Sequence, residues 1–263
     1  MAQVSLASQG KLDHAEPVIR TIDFSDIRIA LAKGYEDFME MPTQLVFLGV
    51  IYPIVGLVAA RAASGGALLP LLYPLIAGLS LMGPIAALGI YELSRRHEKR
   101  LPTTWLNAFD ALRSPAIGSI VALGLVMCVI FVAWLFAAQA VYRATMGNEL
   151  HGSFWGLLGQ VLSTAAGWRL LLWGNVVGFF FALLILMLTV VSFPLLLDRH
   201  VGLRVAVRTS IRAVLRNPVP MAAWGIIVAA FLAVGCLPLF VGLAVVMPLL
   251  GHATWHLYRR VVV

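Results

Sequence analysis

Two apolar runs, Leu68–Tyr91 and Leu170–Leu197, contain no Asp, Glu, Lys or Arg. As helices rising 1.5 Å per residue, both are long enough to cross a hydrocarbon core of about 30 Å. Inside lipid every backbone N–H and C=O must be satisfied within the segment or by a closed barrel. The short alternating segments of a barrel are absent, so runs of this kind leave only helical spans. Composition agrees. Of 263 residues, 61% are hydrophobic and 12% charged, whereas soluble domains carry about 25% charged residues. The chain reads as all-α and polytopic.

The net charge of +7 reads as topology, because Lys and Arg collect on the cytoplasmic side of membrane proteins. No soluble basic domain exists to serve nucleic acid, and that partner is excluded. Cys128 and Cys236 lie in apolar segments, where cysteine behaves as a small hydrophobe. They make neither a disulfide framework nor a metal pair. The first residues lack the apolar core of a signal peptide. Residues 1–22 are expected to be a mobile cytoplasmic tail, and 23–263 a single membrane domain.

Six spans are expected, at about 43–61, 67–93, 116–141, 170–197, 220–236 and 238–257. Pro70, Pro74 and Pro84 make the second either a broken helix or a short interfacial piece followed by a span. Three amphipathic helices lie between them. The first, 23–40, is capped by Asp23 or Ser25 and aligns Ile27, Leu31, Tyr35 and Phe38, with Arg28, Glu36, Asp37 and Glu40 turned away. The second falls in 94–114, capped by Thr103 or Thr104, with Trp105, Phe109 and Leu112 on one face. The third, 198–217, spaces Arg204, Arg208, Arg212 and Arg216 four apart beside Leu203, Val207, Ile211 and Val214. A helix of that design lies in the membrane surface with its arginines at phosphate level. On the other side, Phe154, Trp155, Leu157, Leu158 and Val161 predict an interfacial helix within the loop 142–169.

The unit of amphipathic helix, proline and two-span hairpin occurs three times, opened by Pro42, Pro115 and Pro218. Its exits also match. The segment from Pro84, P-I-A-A-L-G-I-Y-E-L-S-R-R, aligns without gaps on P-L-L-G-H-A-T-W-H-L-Y-R-R from Pro248. A threefold repeat would divide the chain at 23–96, 103–200 and 201–260. Sixteen Lys and Arg fall on one side of the six spans and three on the other. That places both termini and all three amphipathic helices in the cytoplasm.

The stretches S-F-P-L-L-L-D-R-H (192–200), A-V-L-R-N-P-V-P-M-A-A-W-G (213–225) and P-L-L-G-H-A-T-W-H-L-Y-R (248–259) resemble the bacterial integral membrane proteins of the DUF2189 family. So do A-L-A-K-G-Y-E-D-F (30–38) and G-P-I-A-A-L-G-I-Y-E-L-S-R-R (83–96). The resemblance runs from about residue 20 to the end and is most specific at G-H-A-T-W-H. It implies the membrane class and a bacterial inner-membrane location, and it carries no mechanism and no functional residues.

Several side chains are candidates for chemistry. His252 and His256, one turn apart and flanking Trp255, have the spacing of two imidazoles on one metal ion, or of one on a haem iron. No further ligand lies nearby in sequence, although His97 and His200 sit at the same level by topology. The alternative is two interfacial histidines bonded to neighbouring helices or lipid. Asp198 and His200 close the fourth span, as an acid–base pair or as a helix end reaching water. Glu92, Arg95, Arg96 and Glu98 read as a solvated helix end. Asn175, inside a span, is expected to bond across helices. The arginine stripe either recognises anionic lipid headgroups or simply anchors a loop.

No Asp, Glu, Lys or Arg lies near the middle of a span, where ion-coupled carriers keep such groups. There is no Walker motif, G-x-S-x-G or H-E-x-x-H. The expectation is a non-enzymatic inner-membrane protein without a cofactor, acting as an accessory or scaffold subunit of a membrane complex or as an organiser of lipid. Its expected partners are membrane lipids with anionic headgroups, and another membrane protein or a second copy of the chain. A carrier or channel for a small or amphipathic solute is one alternative. A haem- or metal-binding protein using His252 and His256 is the other.

Overall fold

The computed structural model describes residues 17–41, 70, 72–147, 153–238 and 241–263. The expected first span, 43–61, lies outside the described residues. In chain order the helices are α1 (Phe24–Glu40), α2 (Leu72–Leu81), α3 (Gly83–Ala86), α4 (Leu88–Glu98), a 3-10 helix (Trp105–Arg113), α5 (Ile117–Met146), α6 (Phe154–Ser163), α7 (Ala165–Thr189), α8 (Ser192–Arg199), α9 (Leu203–Arg216), α10 (Pro218–Cys236) and α11 (Leu243–Val261).

Among the described residues, three helical stretches are long and apolar enough to cross a membrane: Ile117–Met146, Ala165–Arg199 and Pro218–Cys236. Only 17 to 33% of their apolar windows is buried against protein. The expected second and sixth spans take other forms. The second is broken into α2, α3 and α4, because Pro84 has no N–H and its ring excludes the carbonyl one turn back. In the sixth, only the first half of α11 is purely apolar. From Leu250 to Val261 the helix is buried among α1, α4 and α8.

Short-range chemistry explains several boundaries. Asp23 caps α1, accepting from the N–H groups of Ser25 (2.8 Å) and Asp26 (3.2 Å), while Asp26 returns a bond to the Asp23 N–H (3.1 Å). Between α7 and α8, Thr189 and Ser192 bond back to the carbonyls of Ile185 and Leu188 (2.7 and 2.6 Å), and Pro194 removes a ladder donor. The Val191 N–H turns instead to the Ser210 hydroxyl of α9 (3.2 Å). The predicted external helix is present as α6, with Trp155 exposed.

The tightly packed part of the molecule is a collar at one end of the membrane helices. Within it, each exit helix lies against an amphipathic element. The α4 helix packs on the 3-10 helix, α8 on α9, and α11 on α1. The first and last of these contacts are close because glycine permits them. A Cβ on Gly89 would stand 2.9 Å from that of Ala108, and one on Gly34 would stand 2.5 Å from the Ala253 nitrogen.

Two amphipathic faces differ from expectation. On α1 the buried residues are Ile27, Ala30, Gly34, Asp37 and Phe38, while Tyr35 is exposed. Small residues face α11, so that helix seats closer to them than to the bulky stripe. The amphipathic element within 94–114 is a 3-10 helix, Trp105–Arg113, rather than α, so residues three apart eclipse. Ala108 and Ala111 point toward the protein, while Leu106, Phe109 and Leu112 form an exposed ridge.

The ends of the chain meet. Ile19 pairs with Val262 in an antiparallel bridge, with Arg20 N–H donating to Val261 O (2.8 Å) and Val263 N–H to Val18 O (3.0 Å). The buried Asn217 accepts from the Ile22 N–H (2.8 Å) and donates to Arg20 O (3.0 Å). The expected mobile tail, 1–22, is mostly outside the described residues, but its final stretch is packed, with Ile19 and Ile22 buried.

Candidate functional site

The collar is organised around one carboxylate. Asp37 on α1 is 4% exposed, although its charge had placed it on the solvent side of that helix. Close seating of α11 encloses it. Its Oδ2 accepts from the Ser94 hydroxyl of α4 (2.6 Å) and lies 2.9 Å from His256 Nε2 of α11. The Ser94 oxygen also lies 2.6 Å from His252 Nδ1. His97 Nε2, at the end of α4, is 3.8 Å from Asp37 Oδ1 and 3.4 Å from Glu40 Oε2.

Proton bookkeeping fixes the roles. An ionised carboxylate only accepts. Ser94 has one proton and gives it to Asp37, so His252 Nδ1–H must donate to the Ser94 oxygen. His252 is then the neutral Nδ1–H tautomer, and its Nε2 carries a bare lone pair. That nitrogen is buried and has no hydrogen-bond partner. Burial pushes the His252 imidazole down to about 4, with the Asp37 charge opposing the shift. Burial also pushes the Asp37 carboxyl up, but bonds from His256 and Ser94 and the nearby imidazoles outweigh it and hold the group below the usual carboxylate range.

The two histidines are therefore brought together on Asp37. His252 Nδ1 and His256 Nε2 stand 3.7 and 2.9 Å from the same carboxylate oxygen. Among the described residues, no three His, Cys, Asp or Glu side chains are placed to hold a metal ion. As they stand, these residues do not fit a multi-ligand metal site. Above the cluster an open cleft of about 680 Å³ is bordered by Lys33, Glu36, Glu40, His97, Arg100 and His256.

The other candidates fall elsewhere. Trp255 is fully buried, and its Nε1–H donates to Glu98 Oε2 (3.0 Å). Asp198 accepts from the Tyr258 hydroxyl (2.7 Å) and Arg259 (3.3 Å) of α11. His200 terminates α8 in the left-handed region at φ 50°, exposed and away from the cluster. Glu92, expected in solvent, is buried and holds Arg95 in a two-pronged ion pair at 2.7 Å. Asn175 does not bridge helices. It bonds to Leu171 O of its own turn (2.7 Å) and is exposed. Arg204, Arg208, Arg212 and Arg216 are all exposed along α9.

Sequence reasoning paired His252 with His256 but missed Asp37 and Ser94. The available signal was small residues: Ala30 and Gly34 one turn apart on α1, and Ala253 on α11. Helices with such stripes approach closely enough to bury what lies beside them.

Residues 72–198 match the family described as predicted integral membrane protein (DUF2189), the family whose motifs the sequence resembles. The matched segment, α2 through Asp198, contributes Ser94, His97, Glu98 and Asp198 to the collar. No curated protein and no solved structure matches the chain.

Proposed function

We propose that this integral membrane protein is a non-enzymatic accessory or scaffold subunit of a bacterial inner-membrane complex, or an organiser of lipid, with its collar and both termini in the cytoplasm. The observation that carries the reading is where packing and polarity reside. Buried Asp37, Glu92, Ser94 and His252 all lie in the collar. The three membrane-capable helices instead present wide apolar surfaces, including Val129, Phe136, Phe179, Phe180 and Ile226. A carrier would need a polar passage between its spans. A scaffold needs a rigid end, and lateral surfaces for lipid or for the spans of a partner.

The pairing of each exit helix with an amphipathic element supports a threefold repeat, with 23–96, 103–200 and 201–260 as successive units. The exit of each unit lies on the opening element of the next, and the third closes on the first. Exposed Arg204, Arg208, Arg212 and Arg216 suit anionic headgroups, each contributing on the order of 1 kcal/mol near a negative surface.

The test is extraction from native bacterial membranes into polymer nanodiscs, followed by cross-linking and mass spectrometry. A stoichiometric second polypeptide, or a reproducible set of anionic lipids, supports the proposal. A bare 28.5 kDa chain in ordinary bulk lipid sinks it, and solute flux in liposomes then becomes the reading to pursue. The same sample tests haem or metal binding through His252 and His256. That alternative falls if His252→Ala and His256→Ala leave the haem and metal content unchanged.

A further inference from the structure

Three large apolar side chains occupy equivalent places in the chain. Met39, Leu112 and Leu215 each stand three residues before an opening proline, Pro42, Pro115 and Pro218. All three are solvent-facing, at 61, 63 and 65% exposure, although the elements that carry them bury another face in the collar. In two of the three, an exposed arginine follows directly, Arg113 and Arg216.

For Leu112 and Leu215, continuity identifies what covers them, and Met39 is placed with them by its equivalent position before Pro42. From Leu112 the exposed positions run through Pro115, Gly118, Val121 and Leu125 into the outer face of α5. From Leu215 they run through Val219, Ala222 and Ile226 into the outer face of α10. These outer faces belong to helices apolar enough to cross a membrane, and their surroundings are acyl chains. The Leu106–Phe109–Leu112 ridge extends one such surface beyond the helix end. On α9, Leu203, Val207, Ile211 and Leu215 recur every fourth residue beside the arginine stripe, the pattern of a helix lying in an interface. On α1, Phe24, Tyr35 and Met39 are likewise exposed.

We propose that Met39, Leu112 and Leu215 are three equivalent anchors that sink into the collar-side lipid leaflet, so that the collar grips the membrane surface at three points around the spans. Arg113 and Arg216, one residue further on, extend to the phosphates while their stems stay in the apolar layer. The proposal rests on the membrane reading but not on the scaffold role, since anchors can sit in lipid whether or not a partner is present.

The test places one spin label at a time on the full chain. Cys128→Ser and Cys236→Ser provide the background, and Met39→Cys, Leu112→Cys and Leu215→Cys are reconstituted in vesicles of phosphatidylethanolamine and phosphatidylglycerol. Native Cys128, exposed on α5, gives the lipid reference. Lys33→Cys, exposed on the polar side of α1, gives the aqueous reference. At all three anchors, the ratio of oxygen to aqueous nickel-chelate collisions is expected to exceed the Lys33 ratio and approach that of Cys128. Collision with nickel as freely as at Lys33 overturns the proposal. Shielding from both reagents also overturns it, because it would place the residues against protein. The anchors are exposed side chains, so the substitutions leave the core intact. A second variant, Leu106→Ser with Phe109→Ser, is expected to lower the ratio at Leu112 and leave that at Leu215 unchanged. Equal losses at both sites would contradict independent anchoring.

Discussion

Replacing Gly34 with alanine should open the collar. The added Cβ would lie 2.5, 2.6 and 2.7 Å from the nitrogen, Cα and Cβ of Ala253. Two of those atoms are backbone and cannot rotate away, so α1 and α11 must separate by about an ångström to restore contacts near 3.5 Å. Overpacking of this kind costs about 1–3 kcal/mol. Separation also lengthens the bonds from Ser94 and His256 to Asp37, and a buried carboxylate losing a donor adds about 1–3 kcal/mol. Against this, Ala in place of Gly in a helix gains about 1 kcal/mol. The net expectation is a loss of about 1–5 kcal/mol, or roughly 2–20 °C in Tm at 2–4 °C per kcal/mol for a chain of this size. The assay is thermal unfolding in mild detergent, followed by tryptophan fluorescence. Gly118→Ala is the control, because nothing lies within 4 Å of a Cβ there, and its Tm should hold or rise. If Gly34→Ala behaved like Gly118→Ala, the close α1–α11 contact and the enclosure of Asp37 would both be wrong.

Other perturbations follow the same geometry. His252 has a folded-state value near 4 against about 6.5 when unfolded, so its contribution is complete above pH 6.5 and is lost as pH falls toward 4; the loss is about 3 kcal/mol. Urea unfolding at stepped pH should show that slope, and His252→Gln should flatten it. Asp37 is held below the usual carboxylate range, so its contribution persists to lower pH and disappears as the carboxyl protonates. Asp37→Asn should remove that most acidic phase and destabilise the protein at neutral pH by about 2–3 kcal/mol. Asn217→Ala strands the Ile22 N–H and frees the segment it clamps; hydrogen exchange at Ile22 and tryptic cleavage after Arg20 should both accelerate, and unchanged rates would show that the clamp is incidental. Trp255→Phe removes the bond to Glu98 and leaves part of a fully buried site empty, so it should cost more than the roughly 1 kcal/mol of the bond alone in the same unfolding assay.

Much of the architecture was legible because hydrophobic length and proline position act locally. The membrane-capable helices α5, α7 and α10, the break at Pro84, the cap at Asp23 and the short apolar helix α6 all follow from residues within a turn or two of each other. The 3-10 helix was misread because α and 3-10 patterns differ by half a residue per turn, too little to resolve in a nine-residue segment. The site was less legible for a different reason. His252 and Asp37 are brought together by Gly34 and Ala253 across most of the chain, and a lone aspartate on a helix gives no local sign that it will be buried. Asp198 and Glu98 likewise find partners on α11, more than fifty residues away. Asn175, conversely, invited a tertiary bond and made a local one, because the carbonyl of its own preceding turn lay within reach.

The collar closes: the last exit helix returns to the first amphipathic helix, and the two chain ends are paired. Ile19 and Val262 form the kind of antiparallel pair flanked by, rather than sharing, its hydrogen bonds, with Cα atoms about 4.5 Å apart. That separation accepts a disulfide. Ile19→Cys with Val262→Cys, in the Cys128→Ser, Cys236→Ser background, should therefore oxidise in the membrane to one intramolecular bond. It should migrate as a compact species on a non-reducing gel, with neither thiol open to alkylation. Two freely alkylated thiols, under oxidation that cross-links a control pair elsewhere in the collar, would mean that the ends do not meet and that the collar is open.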